Sequence, residues 1–159
     1  MKILKKYETK EEQLAAVKHD GYLIRHIKDP SETVQIAAVQ QNGYAIQLIK
    51  NPSEAVQLAA VKQHGWAIDY IKNPSEAVQL AAVEENGYVI RHIKNPSEDV
   101  QLAAVKEDGR AIQYIKNPSE ELLKTCLLSN DCDVSLLKVK WFKGKSAELR
   151  LMYEIMKGI

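Results

Sequence analysis

The sequence predicts an all-α protein, a two-layer α-solenoid of six 22-residue helix–turn–helix repeats with a C-terminal capping helix. Three observations predict it. The stretch Asn51–Lys72, NPSEAVQLAAVKQHGWAIDYIK, recurs with small changes at 29–50, 73–94 and 95–116, in looser form at 7–28 and decayed at 117–138, with no insertion. Self-similarity at one short period is the mark of stacked repeats. Each of the first five copies holds two apolar, helix-patterned segments split by a glycine, and the last copy is followed by a tail with helical spacing. The expected organisation is a cap segment at 1–6, the six repeats over 7–138, and a basic connector with a capping helix at 139–159.

Within a repeat numbered 1 to 22 from Asn51, Asn at 1, Pro at 2 and Glu at 4 read as a helix start. Asn accepts from orphan N–H groups, Pro suits the first helical position, and Glu reaches back as a capping box. The first helix runs through AVQLAAVKQ and is expected to stop at Gly65 in a left-handed C′ conformation. A shorter helix, WAIDYIK, follows, and the next Asn-Pro forces a turn. At 100° per residue Val56, Ala59 and Ala60 share one side of the first helix, and Leu58 and Val61 the other. A helix apolar on two sides is sandwiched between those of neighbouring repeats. The second helix has one stripe, Ala67, Ile68 and Ile71, and forms the outer layer.

The ends differ as solenoid ends must. Repeat one begins on Thr9-x-x-Glu12, a capping box that puts a charge where other copies have an apolar residue. Repeat six has Lys124 where others have Leu or Ile, and Leu123 and Leu128 add apolar surface. The tail offers a cover, a helix capped by Ser146 with Leu149, Met152, Tyr153 and Met156 at helical spacing.

The pattern NPSE-x-VQLAAV-x-x-x-G-x-x-I-x-x-I-K resembles the leucine-rich repeat variants, short alternating-helix repeats that form a right-handed solenoid. It is also similar to a repeat domain of unknown function found in bacteria, phages and large viruses, through Ile36-Ala37-Ala38-Val39-Gln40-Gln41-Asn42-Gly43-Tyr44-Ala45-Ile46. The resemblance covers 7–138 and implies a fold rather than an activity. A phage or mobile-element setting, which it also suggests, implies inhibition or sequestration of a host factor. The iron–sulfur segment of the founding variant-repeat protein does not carry over, because Cys126 and Cys132 cannot supply four thiolates.

Three repeat positions carry the functional expectations. Position 7 is Gln13, Gln35, Gln57, Gln79 and Gln101, beside positions that drift freely. Identity in five copies points to a structural polar ladder holding orphan backbone groups of the inter-helix turn or second helix, with an amide-lined groove as the alternative. Position 16 reads Tyr22, Tyr44, Trp66, Tyr88 and Arg110, one large planar group per repeat, suited to stacking on a partner or to closing the corner between helices. Position 19, reading Arg25, Gln47, Asp69, Arg91 and Gln113, varies most and should face solvent, where a repeat protein writes specificity.

Other classes find little support. The formal net charge is +1, although six Lys/Arg against two Glu give 138–159 a local +4. That balance gives no global attraction to nucleic acid or anionic membrane. The basic N-terminus lacks the apolar core of a signal peptide and no apolar run is long enough to span a bilayer, so a cytoplasmic location is expected. His19, His26, His64 and His92 are too scattered for a metal site, and Cys126, in an alanine position, reads as a core residue. Lys138–Lys145 interleaves aromatics with cations and is expected to connect and pack on the last repeat. No catalytic residue, metal or cofactor is expected. The leading expectation is a monomeric, non-enzymatic scaffold for a protein partner, with positions 16 and 19 as its contacts. The alternatives are a binder of nucleotide or nucleic acid and a structural spacer.

Overall fold

The structure, a computed structural model, describes residues 7–158, so the cap segment expected at 1–6 lies outside the described residues. These residues form helices and no strand. The α-helices are α1 (Lys10–His19), α2 (Glu32–Gln41), α3 (Glu54–Gln63), α4 (Glu76–Glu85), α5 (Glu98–Glu107), α6 (Glu120–Leu128) and α7 (Ala147–Lys157). Between them lie 3-10 helices: η1 (Gly21–His26), η2 (Gly43–Leu48), η3 (Gly65–Tyr70), η4 (Gly87–His92), η5 (Gly109–Tyr114), η6 (Val134–Leu136) and η7 (Val139–Phe142). The chain divides into two compact units, Met1–Glu85 and Asn86–Ile159.

In the first unit α1 to α4 pack in sequence, η1 to η3 stack in a second row, and each of η1 to η3 also touches the α-helix of the following repeat. In the second unit α5 packs on α6 and η4 on η5, and α7 covers α6. Both units are therefore two-layer pieces of an all-α solenoid. The core is the same few positions repeated: Val34, Val56, Val78 and Val100 at position 6, with Ala38, Ala60, Ala82 and Ala104 at position 10, all without exposure. Among the described residues no polar or charged side chain is buried.

The second segment of each repeat is a 3-10 helix, not the α-helix whose wheel was used above. At three residues per turn, side chains i and i+3 eclipse. Ile68 and Ile71, at positions 18 and 21, therefore eclipse, and both are buried together with Ala67, as the expected stripe required.

The helix start differs from the expectation too. Serine at position 3 is the N-cap, with Ser53, Ser97 and Ser119 each accepting from the N–H three residues on, and Glu at position 4 opens the helix. The residue at position 1 turns the corner instead. Asp29, Asn51, Asn73 and Asn95 have φ between 50° and 54°. Asn and Asp tolerate that left-handed region best after glycine, because their short side chains bond locally. The glutamate's partner also changes: in the first unit Glu32 accepts from Ser53 Oγ and Glu54 from Ser75 Oγ, in each case the next repeat's cap. Only repeat one keeps the Thr9–Glu12 capping box.

Glycine at position 15 is not a left-handed cap. A Cβ at Gly43 would stand 2.6 Å from the Ala60 carbonyl oxygen, and one at Gly87 2.5 Å from that of Ala104. The residue is small because the next repeat's helix backbone passes that close, on alanine at position 10.

The C-terminal cover is partial. Leu123 is buried, but Leu128 stays 73% exposed. Helix α7, capped by Ser146, turns Leu149 and Tyr153 inward, whereas Met152 is half-buried and Met156 exposed. Lys124 reaches Glu148 of α7 at 3.2 Å. Repeat six has no position-7 glutamine, and here the connector intervenes: Trp141 Nε1 donates to the Lys116 carbonyl at 3.1 Å, while Phe142 stacks on Tyr153 at 4.2 Å between centroids.

Candidate functional site: two aromatic corners

Two networks recur from repeat to repeat and hold the outer row in place. The glutamines of position 7 turn back on their own repeat. Gln35, Gln57, Gln79 and Gln101 each donate Nε2 to the carbonyl of the proline five residues before, at 2.9 to 3.0 Å, and Gln13 donates to the Tyr7 carbonyl at 3.2 Å. Their target is the corner before the first helix, not the inter-helix turn. A bond of this kind contributes about 1 kcal/mol net.

The second network was missed in the sequence. The Gly21 N–H donates to Gln41 Oε1 at 2.7 Å, Gly43 to Gln63 Oε1 at 2.5 Å, Gly65 to Glu85 Oε2, and Gly109 to Asp131 Oδ2 at 3.3 Å. A side chain twenty or so residues later thus caps the first N–H of η1, η2, η3 and η5. The signal was there, since position 13 reads Gln, Gln, Glu in 41, 63 and 85. Its partner lies one repeat away, however, and local pattern reading does not look that far.

On this frame sit the residues of positions 16 and 19. In the first unit Tyr22, Tyr44, Gln47, Trp66, Asp69 and Tyr70 line one depression of about 340 Å³. Tyr44 and Tyr70 meet edge to face at 6.1 Å and 89°. His64 occupies position 14, where Asp20 and Asn42 accept from the N–H two residues on. His64 gives up that cap, lies 4.5 Å from Tyr44 between ring centroids, and places Nε2 3.0 Å from the Tyr44 hydroxyl, while its Nδ1 is buried with no hydrogen-bond partner. Burial above all, then Tyr70 and the charges of Asp69 and Glu85, raise the Tyr44 phenol above its ordinary pKa. Arg25 lies 5.5 Å over the Tyr22 ring.

In the second unit Tyr88 and Tyr114 form the same pair, at 5.9 Å and 67°. Here Arg110 lies 5.3 Å from the Tyr88 centroid and Arg91 5.7 Å from that of Tyr114. Arg110 is held by Asp108 through two side-chain bonds of 3.0 and 2.8 Å. Burial alone would raise the Asp108 carboxyl, but the bonds from the Arg110 side chain and N–H, with its charge, prevail and hold it below the usual carboxylate range.

Position 19 has a local job as well as exposure. Arg25 Nε, Gln47 Nε2 and Gln113 Nε2 donate to the carbonyls of Tyr22, Tyr44 and Arg110 at 2.9 to 3.0 Å, across one 3-10 turn. Tyr70 and Tyr114, at position 20, were absent from the expected site. They reach the ring of position 16 in the preceding repeat, a neighbour that only stacking supplies.

The second unit has another concavity, of about 720 Å³, lined by Arg91, Lys94, Gln101, Tyr114 and Lys116 beside the Asn95-Pro96 corner. Buried Cys126 donates toward the Gly109 carbonyl at 3.4 Å and lies 3.1 Å, sulfur to sulfur, from Cys132. Cys126 is pushed strongly up by that contact and by burial, and the same contact lowers Cys132. Among the described residues no three His, Cys, Asp or Glu side chains gather as a metal ion would need, and no helix is long and apolar enough to cross a membrane. Comparison with protein-family models, with curated proteins and with solved structures yields no match to this chain.

Proposed function

We propose that the protein is a non-enzymatic, monomeric scaffold that binds a protein partner across the aromatic surface of its outer layer. The observation that carries this is the depression in the first unit. Four rings, Tyr22, Tyr44, Trp66 and Tyr70, line it beside Gln47 and Asp69, and Tyr70 is 49% exposed. Rigid aromatics on a fixed backbone give large contact area at small entropic cost, which is why such residues anchor interfaces. The resemblance to phage-borne repeats extends the proposal to sequestration of a host protein.

A random peptide library displayed against the full chain tests it. Enriched peptides should bind wild type and lose at least about tenfold in affinity to the double variant Y44A/W66A. Their affinity should fall only a few-fold between low and high salt. Peptides indifferent to that variant, or no enrichment, overturn the proposal. The second concavity, with Arg91, Lys94 and Lys116 around Tyr114, favours one alternative, a nucleotide or short nucleic acid held by phosphate and stacking. An oligonucleotide bound there would lose affinity by orders of magnitude over the same salt range.

A further inference from the structure

We propose that Cys126 and Cys132 form a redox site, a dithiol that a small disulfide converts to an internal disulfide, pinning the loop that caps η5. Both cysteines stand at repeat positions. Cys126 is at position 10, which reads Ala16, Ala38, Ala60, Ala82 and Ala104 in the other copies. Cys132 is at position 16, the place of Tyr22, Tyr44, Trp66, Tyr88 and Arg110. Two of the departures that mark repeat six are thus the chain's two cysteines.

The fold brings them together. In the first five repeats a 3-10 helix opens at position 15, whereas after α6 the chain turns at 129–131 and η6 waits until Val134. Ser129 Oγ donates to the Cys126 carbonyl at 2.9 Å, and the Cys132 N–H to the Ser129 carbonyl at 3.4 Å. The turn so closed leaves the two sulfurs 3.1 Å apart. A disulfide bond is about 2.05 Å long, so a closure of about 1 Å joins them.

The two thiols differ in access and acidity. Cys126 is fully buried and Cys132 half-buried. Their contact lowers Cys132 against the effects of burial, Asp133 and Asp131, and it raises Cys126 along with burial. The thiolate is the nucleophile, so Cys132 reacts first. Its Sγ attacks one sulfur of the small disulfide, that S–S bond breaks, and one thiolate leaves with the electron pair. Capping Cys132 removes the partner that held the proton on Cys126. Cys126 then gives its proton to the released thiolate and attacks Cys132 Sγ. The second small thiolate leaves and takes a proton from water. Two protein thiols are oxidised and one disulfide is reduced to two thiols.

The consequence reaches the second corner. Asp131, between the two cysteines, accepts from the Gly109 N–H at 3.3 Å and so caps η5, which carries Arg110. A disulfide removes freedom from the span that holds Asp131. Cys126 gives up only its weak S–H donation to the Gly109 carbonyl.

The test equilibrates the full chain in buffers of 2-mercaptoethanol and 2-hydroxyethyl disulfide, uncharged reagents that Asp131 and Asp133 do not repel. The mixture is quenched with N-ethylmaleimide and its intact mass is read. The chain should collect as a monomer lighter by two hydrogen atoms that takes no maleimide. Its equilibrium constant should lie at least about tenfold above that of the same chain in urea. C126A, which copies the other five repeats, should instead accumulate the mixed disulfide at Cys132, and C132S should stay unmodified. Amide exchange at Gly109 should slow by about threefold or more on oxidation. An equilibrium constant no higher folded than in urea, a mixed disulfide retained by wild type, or faster modification of C132S than of C126A would overturn the redox site. Gly109 exchange unchanged by oxidation would overturn the pinning.

Discussion

The two aromatic corners share a backbone and differ in their occupants. Tyr44 with Tyr70 and Tyr88 with Tyr114 adopt the same edge-to-face pairing at about the same distance. Around the second pair, Arg91 and Arg110 fill the ring faces and Asp108 anchors Arg110. Around the first stand Gln47, Trp66, Asp69 and His64. The difference teaches that in a repeat protein the frame and the surface are written at separate positions. Positions 7, 10 and 15 build the same corner in both units, and positions 14, 16 and 19 decide which side chains line it.

That separation can be broken from the frame outward. The largest effect should come from glycine. G43A and G87A each push a Cβ against the next helix's carbonyl, 2.6 and 2.5 Å away, and each should cost roughly 2–4 kcal/mol in urea unfolding. Similar losses are expected in both, because the frame does not depend on what fills the corner. A cost near zero at either site would mean that the layers slide apart freely. Next comes the position-7 bond: Q57A and Q101A should each lose about 1 kcal/mol, leaving a half-buried proline carbonyl unpaired.

Repeat three tests the reverse direction. H64N restores the side-chain cap that Asn42 makes and removes a buried, unpaired Nδ1, at the loss of the Tyr44 hydroxyl contact. A gain of up to about 1 kcal/mol in urea unfolding is expected. If stability falls instead, the Tyr44–His64 contact outweighs a helix cap.

The smallest effect is a pH dependence belonging to the filled corner. The folded pKa of Asp108 is depressed, so its ionisation favours the folded state above the ordinary carboxylate value near 4. That stability is lost as pH falls through the lower folded value. D108N should therefore flatten the acid limb of the unfolding midpoint measured between about pH 5 and 2, while the equivalent first-unit residue, His64, is not a carboxylate. An unchanged acid limb in D108N would show that Asp108 gains nothing from Arg110.

Much of the architecture was legible in the chain alone. A 22-residue period with valine and alanine at fixed places settles which side chains are buried, since hydrophobic burial follows composition and spacing. The altered terminal copies likewise announced the Thr9–Glu12 box and the helix capped by Ser146. Local chemistry could not rank equivalent choices. Asn and Ser both cap helices and Asn also takes left-handed φ, so only the packed corner assigns the cap to Ser53 and the turn to Asn51. The glycine serves close packing because Ala60 and Ala104 bring a neighbouring backbone against it. The Gly43–Gln63 bond and the Tyr44–Tyr70 pair likewise join residues more than a full repeat apart or nearly so. The sequence by itself determined the period, the core and the helical class, which depend on each residue's own preference. Tertiary structure alone decided the corners, because their partners meet only when one repeat stacks on the next.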